Sequence, residues 1–155
     1  MTPDPNHDVE PDSKARLRLW LKLLKVTGQT EAELRRRLRT DHDTTLPRFD
    51  VMSALARHPQ GLKMSELSTY LRVSNGNVTG IVDRLTEDGL ALRVAVEGDR
   101  RAHLARLTPA GHRAFAELAE NHEIWIDGLL GDLSAEDATT VLSILARVPD
   151  PKDGL

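Results

Sequence analysis

The most constraining feature of this chain is one short segment, Asn75 to Gly89, whose two faces ask for different surroundings. Val78, Ile81, Val82 and Leu85 recur at offsets of zero, three, four and seven, the spacing of a single buried stripe on an α-helix. The opposite face holds Asn75, Gly76, Asn77, Thr79, Gly80, Asp83 and Arg84. Gly76 and Gly80 stand four apart and share that face, and each glycine inside a helix costs about 1 kcal/mol relative to alanine. Two of them on an exposed face suggest that something approaches the backbone closely. Asparagine and threonine are also poor helix formers, yet they can hydrogen-bond base edges, and the threonine methyl can touch thymine. A solvated helix face beside a loop is the competing explanation.

The rest of the chain is arranged around this segment. Leu17, Trp20, Leu21 and Leu24, widened by Leu19 and Leu23, predict a long first helix over residues 13–40, with Gly28 as a candidate kink. Asp41 to Thr45 is a polar break. Pro47 suits the first turn of a second helix, which buries Phe49, Met52 and Leu55 and ends at Pro59-Gln60-Gly61. A short third helix covers Met64 to Leu71, and Ser74 is a good N-cap for the helix that follows, which Gly89 closes. Leu90–Val96 and Ala102–Leu107 then read as two strands of a β-hairpin, turning through Glu97 to Arg101. Thr108-Pro109 starts a helix carrying Phe115, Leu118, His122, Trp125 and Leu129. Ser134-Ala135-Glu136-Asp137 resembles a capping box opening a last helix with Ala138, Val141, Leu142 and Leu145 inside. The predicted fold class is mainly α with a small β-hairpin wing: a winged helix-turn-helix flanked by N- and C-terminal helices.

Composition narrows the function. A chain of 155 residues, 39% hydrophobic and 29% charged, is a folded single domain with helical extensions. No apolar run approaches ~18 residues, and the acidic N-terminus is no secretory signal. Cysteine is absent, which excludes disulfides, thiolate metal sites, cysteine nucleophiles and thiol redox switching, and the cytoplasm is expected. The net charge of -3 hides an asymmetry: residues 13–40 hold nine Lys/Arg against two Glu, while residues 109–155 hold three bases against nine acids. Such segments suit packing on one another, within a chain or between two. None of the six histidines is paired at helical ligand spacing, so no metal is expected, and no cofactor or catalytic motif is present. An enzyme, and a winged-helix module serving protein partners without DNA, are the alternatives from other classes.

Residues 44–115 resemble the MarR family of bacterial transcription regulators. The most specific elements are Asp99-x-Arg101 followed by Leu107-Thr108-Pro109-x-Gly111, together with Asn77-Val78-Thr79, Asp83-Arg84-Leu85 and Gly89-Leu90. With the flanking helices the resemblance covers residues 13–147. It implies an obligate homodimer, a palindromic double-stranded operator, repression, and release by a small ligand. The implied organisation is a mobile acidic tail (1–12), a dimerisation helix (13–43), a DNA-binding head (44–108), two further dimerisation helices (109–148) and a tail (149–155). By the same resemblance Asp99 braces the wing, Arg101 enters the minor groove and Arg100 touches phosphate. Asn75, Asn77, Thr79 and Arg84 meet the major groove or its phosphates, with Gly76 and Gly80 allowing close approach. Two departures stand out: Lys63 replaces the usual Thr or Ser cap of the third helix, which predicts a frayed start, and Ala105 replaces a larger strand residue, which predicts thin packing under the wing. Arg84 is the recognition helix's single cation, so phosphate neutralisation falls largely to the wing, Lys63, Arg72 and backbone N–H groups.

The family's effector pocket lies between dimer helices and head, where Trp20, Leu24, Phe49, Met52 and Phe115 are candidate lining residues or else plain core. Arg35-Arg36-Arg37-x-Arg39 would attract an anion. The segments around it are similar to a branch of the family associated with aromatic-acid catabolism, whose effectors are an aromatic carboxylate or its coenzyme A thioester. The alternative is that this basic stripe merely complements the acidic C-terminal helices. Trp20, Leu21, Leu24, Leu118, Trp125, Leu142 and Leu145 are expected to need a second chain for burial.

Overall fold

The computed structural model describes residues 11–71 and 75–150, apart from the side chains of residues 75, 76, 100 and 101. In chain order the elements are α1 (Asp12–His42), α2 (Leu46–Arg57), β1 (Leu62–Lys63), α3 (Met64–Leu71), α4 (Asn75–Glu87), β2 (Ala91–Val96), β3 (Asp99–Leu107), α5 (Pro109–Leu129) and α6 (Ala135–Leu145). α1 is one helical run of 31 residues that continues through Gly28. It stops at Asp43, whose φ of 49° turns the chain so that the Asp43 and Thr44 N–H groups close on Arg39 and Leu38 carbonyls.

The local signals act much as their chemistry predicts. Thr45 caps α2 by accepting the Arg48 N–H at 3.3 Å, with Pro47 in the first turn. Ser134 and Asp137 form a reciprocal capping box on α6, and those hydrogen bonds hold the Asp137 carboxyl below its ordinary pKa. Lys63 does not leave α3 without a start, because the Glu66 carboxylate reaches back to accept the Lys63 N–H at 3.1 Å. Ser74 and Arg72 lie outside the described residues, as do the acidic tail over residues 1–10 and residues 151–155.

The wing departs from a plain hairpin. It is a three-stranded antiparallel sheet in the order β1-β3-β2, and β1, only two residues long, has too little alternation to be seen in sequence. Asp99 to Arg101 belong to β3 rather than to the turn, which is reduced to Glu97-Gly98 with Gly98 at φ +87°. Ala95 pairs with His103 but Val96 pairs with Asp99, so the backbone at 100–102 is carried out of the ladder as a bulge. Ala105 is fully buried, and the small residue is matched by the backbone of Gly61: a Cβ there would meet the Ala105 carbonyl at 3.0 Å. The two chain segments close up where thin packing was expected.

The core gathers Leu34 and Leu38 of α1, Phe49, Met52 and Leu55 of α2, Leu67 of α3, and Val78, Val82 and Leu85 of α4. Leu118 and Trp125 of α5 join it, so these two find their burial inside one chain, contrary to expectation. The long α1 makes this possible: the Trp125 ring lies 5.8 Å from the His42 ring and 6.0 Å from the Arg37 guanidinium carbon. On the same side His122 stacks on Phe49 at 4.6 Å between centroids, and burial pushes its imidazole pKa down. Trp20, Leu21, Leu24 and Leu142 stay exposed, and α6 buries no residue at all.

The root of the wing is the tightest junction. The Thr108 hydroxyl donates to the Gly89 carbonyl at 2.7 Å and accepts the Gly111 N–H at 3.0 Å, capping α5, while the Thr108 N–H donates to the Leu90 carbonyl. A Cβ on Gly111 would fall 1.9 Å from that same Leu90 carbonyl. The Leu-Thr-Pro-x-Gly run thus joins the end of α4 and both wing strands to α5. Gly111→Ala is expected to destabilise the protein by about 1–3 kcal/mol, the usual cost of overpacking against a fixed wall. Thermal unfolding of the variant beside the parent checks this; an unchanged midpoint would contradict it.

Candidate nucleic-acid interface

α4 rests on α2, α3 and β2 through Val78, Val82 and Leu85, all fully buried. Its outer side carries Asn77, Gly80, Asp83 and Arg84, exposed, and Thr79, half-exposed. A Cβ at Gly80 would meet nothing within 4 Å, so no packing inside this chain asks for glycine there. The backbone of Asn75 and Gly76 continues this helix; their side chains lie outside the description, as do those of Arg100 and Arg101.

Two ion pairs fix the helix to its neighbours, and sequence reasoning found neither. Asp83, read from sequence as part of the outward face, bonds Arg93 of β2 at 2.7 Å and so ties α4 to the wing. Arg48 of α2 reaches Asp88, just past α4, at 2.5 Å. Both are partly exposed, so each contributes about 1 kcal/mol at most and serves mainly to orient. The partners are ten and forty positions apart, and no local pattern joins them. Asp99 is also engaged by a partner.

Several concave surfaces border α4, two of them large. The larger, about 580 Å³, is lined by Arg35 and Arg39 of α1, Thr44 to Pro47, and Asn77, Gly80, Ile81 and Arg84 of α4. The smaller, about 350 Å³, separates α4 from the wing and is lined by Lys63, Met64, Ser65, Thr79, Asp99, Ala102 and His103. Electrostatics distinguish the arginines of α1, of which Arg35 and Arg39 line the larger one. Arg36 and Arg37 both bond Glu33 at 2.7 Å, and those bonds hold the Glu33 carboxyl at about 2. Arg35 sits 3.5 Å from Glu31. Arg39 and Arg84 make no ion pair with any described residue. On the same wall Thr44 Oγ1 is buried without a hydrogen-bond partner.

The five candidate effector residues do not meet. Phe49 and Met52 are core, Phe115 packs on Phe49 at 5.5 Å between centroids, and Trp20 and Leu24 stand exposed on the N-terminal half of α1. The Arg39 and Arg84 cavity had no single sequence signature, because it forms where α1, the α1–α2 turn and α4 converge.

Comparison with known proteins agrees with this geometry. A MarR family model matches residues 42–102. The chain is 30% identical over 148 residues to the transcriptional activatory protein BadR of Rhodopseudomonas palustris, covering 92% of this chain and 84% of BadR. A MarR family transcriptional regulator from Silicibacter pomeroyi shares 34% identity and superposes with a TM-score of 0.73 over 88% of this chain and 94% of that one. Sco3205 of Streptomyces coelicolor, a MarR family regulator solved in complex with DNA, has the same fold at 22% identity, with a TM-score of 0.74 over 94% and 89% of the two chains.

Gly80 offers a direct test of an outward role. Gly80→Ala should leave the fold intact and raise its stability by up to about 1 kcal/mol, since helix propensity improves and nothing is displaced. Gly80→Leu should fold equally well yet lose specific DNA binding. Circular dichroism with a binding titration separates the two, and a Gly80→Leu protein that binds like the parent would contradict the assignment.

Proposed function

The chain belongs to the MarR family of DNA-binding transcription regulators, and from that premise we propose that it reads a palindromic operator as a homodimer and is released by a small anionic aromatic molecule. The observation that carries the DNA reading is α4. It is a helix fixed on three sides, with an outward Asn77, Thr79, Gly80 and Arg84 and a glycine that the chain itself does not need. Such a helix fits the major groove, with the wing over the adjacent minor groove. A wing carried out of its ladder at 100–102 supports Arg100 on phosphate and Arg101 in the minor groove.

The dimer is supported by unpartnered apolar surface. Leu17, Leu19, Trp20, Leu21 and Leu24 on α1, and Val141, Leu142 and Ile144 on α6, are all at least 45% exposed in the single chain, far more contiguous than a monomer's scattered surface residues. The basic first helix and acidic last helices make a second copy the natural cover. A palindrome then follows from two-fold symmetry. Repression is the sign that the family resemblance implies. BadR, described as activatory, has the opposite sign, and a reporter driven by the operator decides between them. In an operator titration, saturation should come at two chains per duplex. Arg101→Ala should weaken binding by about 1–3 kcal/mol at matched salt without shifting the melting temperature. One chain per duplex, or an Arg101→Ala protein as tight as the parent, would overturn this reading.

The effector is assigned to the cavity of Arg39 and Arg84. Its volume of about 580 Å³ lies in the range of small-molecule pockets. Two guanidinium groups with no ion pair to a described residue suit a carboxylate or phosphate, and the Thr44 hydroxyl, without a hydrogen-bond partner among the described residues, suits a polar ligand atom. Asn77, Gly80 and Arg84 belong to both the cavity and the DNA-facing side, so ligand and operator compete for one surface. Calorimetry against aromatic carboxylates and their coenzyme A thioesters should find a binder that excludes operator. Arg39→Ala should lower that affinity about tenfold or more while leaving ligand-free operator binding intact. A ternary complex of protein, effector and operator would defeat the competition mechanism.

A further inference from the structure

We propose that the cleft between α4 and the wing clamps one phosphate of the operator strand and that His103 makes this clamp proton-dependent, so that operator affinity rises as the pH falls. The inference rests on the DNA-binding reading and deepens it. Adjacent major and minor grooves are separated by a single sugar–phosphate strand. A head with α4 in one groove and its wing in the next must pass that strand through the cleft of about 350 Å³. The cleft is built by three elements around the strand's path: Lys63 and Ser65 where β1 meets α3, Thr79 on α4, and His103 on β3.

The position of His103 follows from strand periodicity. Ala105 and Leu107 are buried beneath the sheet, so His103, two residues before Ala105, lies on the same face but beyond the edge of the core, where it is exposed. The side chains of Lys63, Ser65, Thr79 and His103 make no hydrogen bond or ion pair with any described residue. All four are available to donate to an anion. Among the described residues, the charged groups that share this cleft with His103 are Lys63 from β1 and Asp99 from β3, which has a partner of its own; Glu66 of α3 takes the Lys63 N–H. α4 contributes the neutral Thr79 to this cleft, and the residue opposite His103 on β2 is Ala95. A protonated imidazole therefore meets no unengaged carboxylate among the described residues of this cleft, and a phosphate becomes its counter-ion. Histidine is the side chain that changes charge in the physiological range. The bound state takes up the proton, so the contact is complete at the acidic end and is lost as the pH rises.

The test uses the full chain and a duplex operator at constant salt. Parent affinity should fall about tenfold from about pH 6 to about pH 8. His103→Gln should bind at both pH values as the parent does at the higher one. His103→Lys, with its permanent charge, should bind tightly at both. At the lower pH the slope of log affinity against log salt should drop by about 0.9 per head in His103→Gln, a signature of a lost phosphate contact that a merely structural role would not give. A parent that binds operator with no such pH dependence, or a His103→Gln protein that keeps it, overturns the inference and leaves the DNA-binding reading standing. Failure of the parent to bind any operator at either pH overturns both.

Discussion

The head depends on one junction, the root of the wing. Thr108 bonds back to Gly89 and forward to Gly111, and Gly111 lies against the Leu90 carbonyl so closely that no side chain fits between them. Those contacts connect the C-terminal end of α4, both long wing strands and the first turn of α5. A recognition helix and a wing must stand a fixed distance apart to span adjacent grooves, and short-range hydrogen bonds at their shared root hold that distance better than long surface side chains do. The Asp83–Arg93 pair then acts further out, where it orients the wing more than it stabilises the fold.

Charge is distributed by pairing, so the sequence count misleads. The run of arginines late in α1 looks like a uniform basic stripe. In the folded chain Glu33 takes Arg36 and Arg37, and Glu31 takes Arg35, all at helical spacings. Among the described residues Arg39 makes no ion pair, and it lines the same cavity as Arg84 from a different helix. Asp50 lies near Glu31 and Arg35, and burial, with the Glu31 charge, raises its carboxyl pKa.

What could be read from sequence was what local chemistry decides. The stripe of Val78, Val82 and Leu85, the caps at Thr108 and Ser134, and the helix order all follow from contacts within a few residues. What could not be read depends on distant partners. β1 exists only because Leu62 and Lys63 meet Ala105 and Leu104. Leu118 and Trp125 looked like surface for a second chain, yet both join the core of the single chain, with Trp125 against His42 and Arg37 of α1. The bulge at 100–102 is a matter of register between two strands, and Gly98 alone did not reveal it. Among the site residues, Asn77, Thr79, Gly80 and Arg84 fell on one outward face as their spacing predicts. Of the proposed effector residues, Phe49, Met52 and Phe115 gathered at the core while Trp20 and Leu24 stayed exposed on α1, because an apolar residue in sequence carries no mark of whether it ends in a core, a pocket or an interface.

The overlap of cavity and recognition face has a thermodynamic consequence. Ligand and DNA that use the same Asn77, Gly80 and Arg84 are coupled without any conformational change, and the coupling is reciprocal: operator weakens the effector by the factor by which effector weakens the operator. A larger arginine-like side chain at position 80 would strengthen phosphate contact but fill the cavity mouth, and a smaller one at Arg84 would empty it while losing a DNA contact. On the proposed reading Gly80 and Arg84 answer to two demands at once, and a glycine which the helix's own packing does not require serves both.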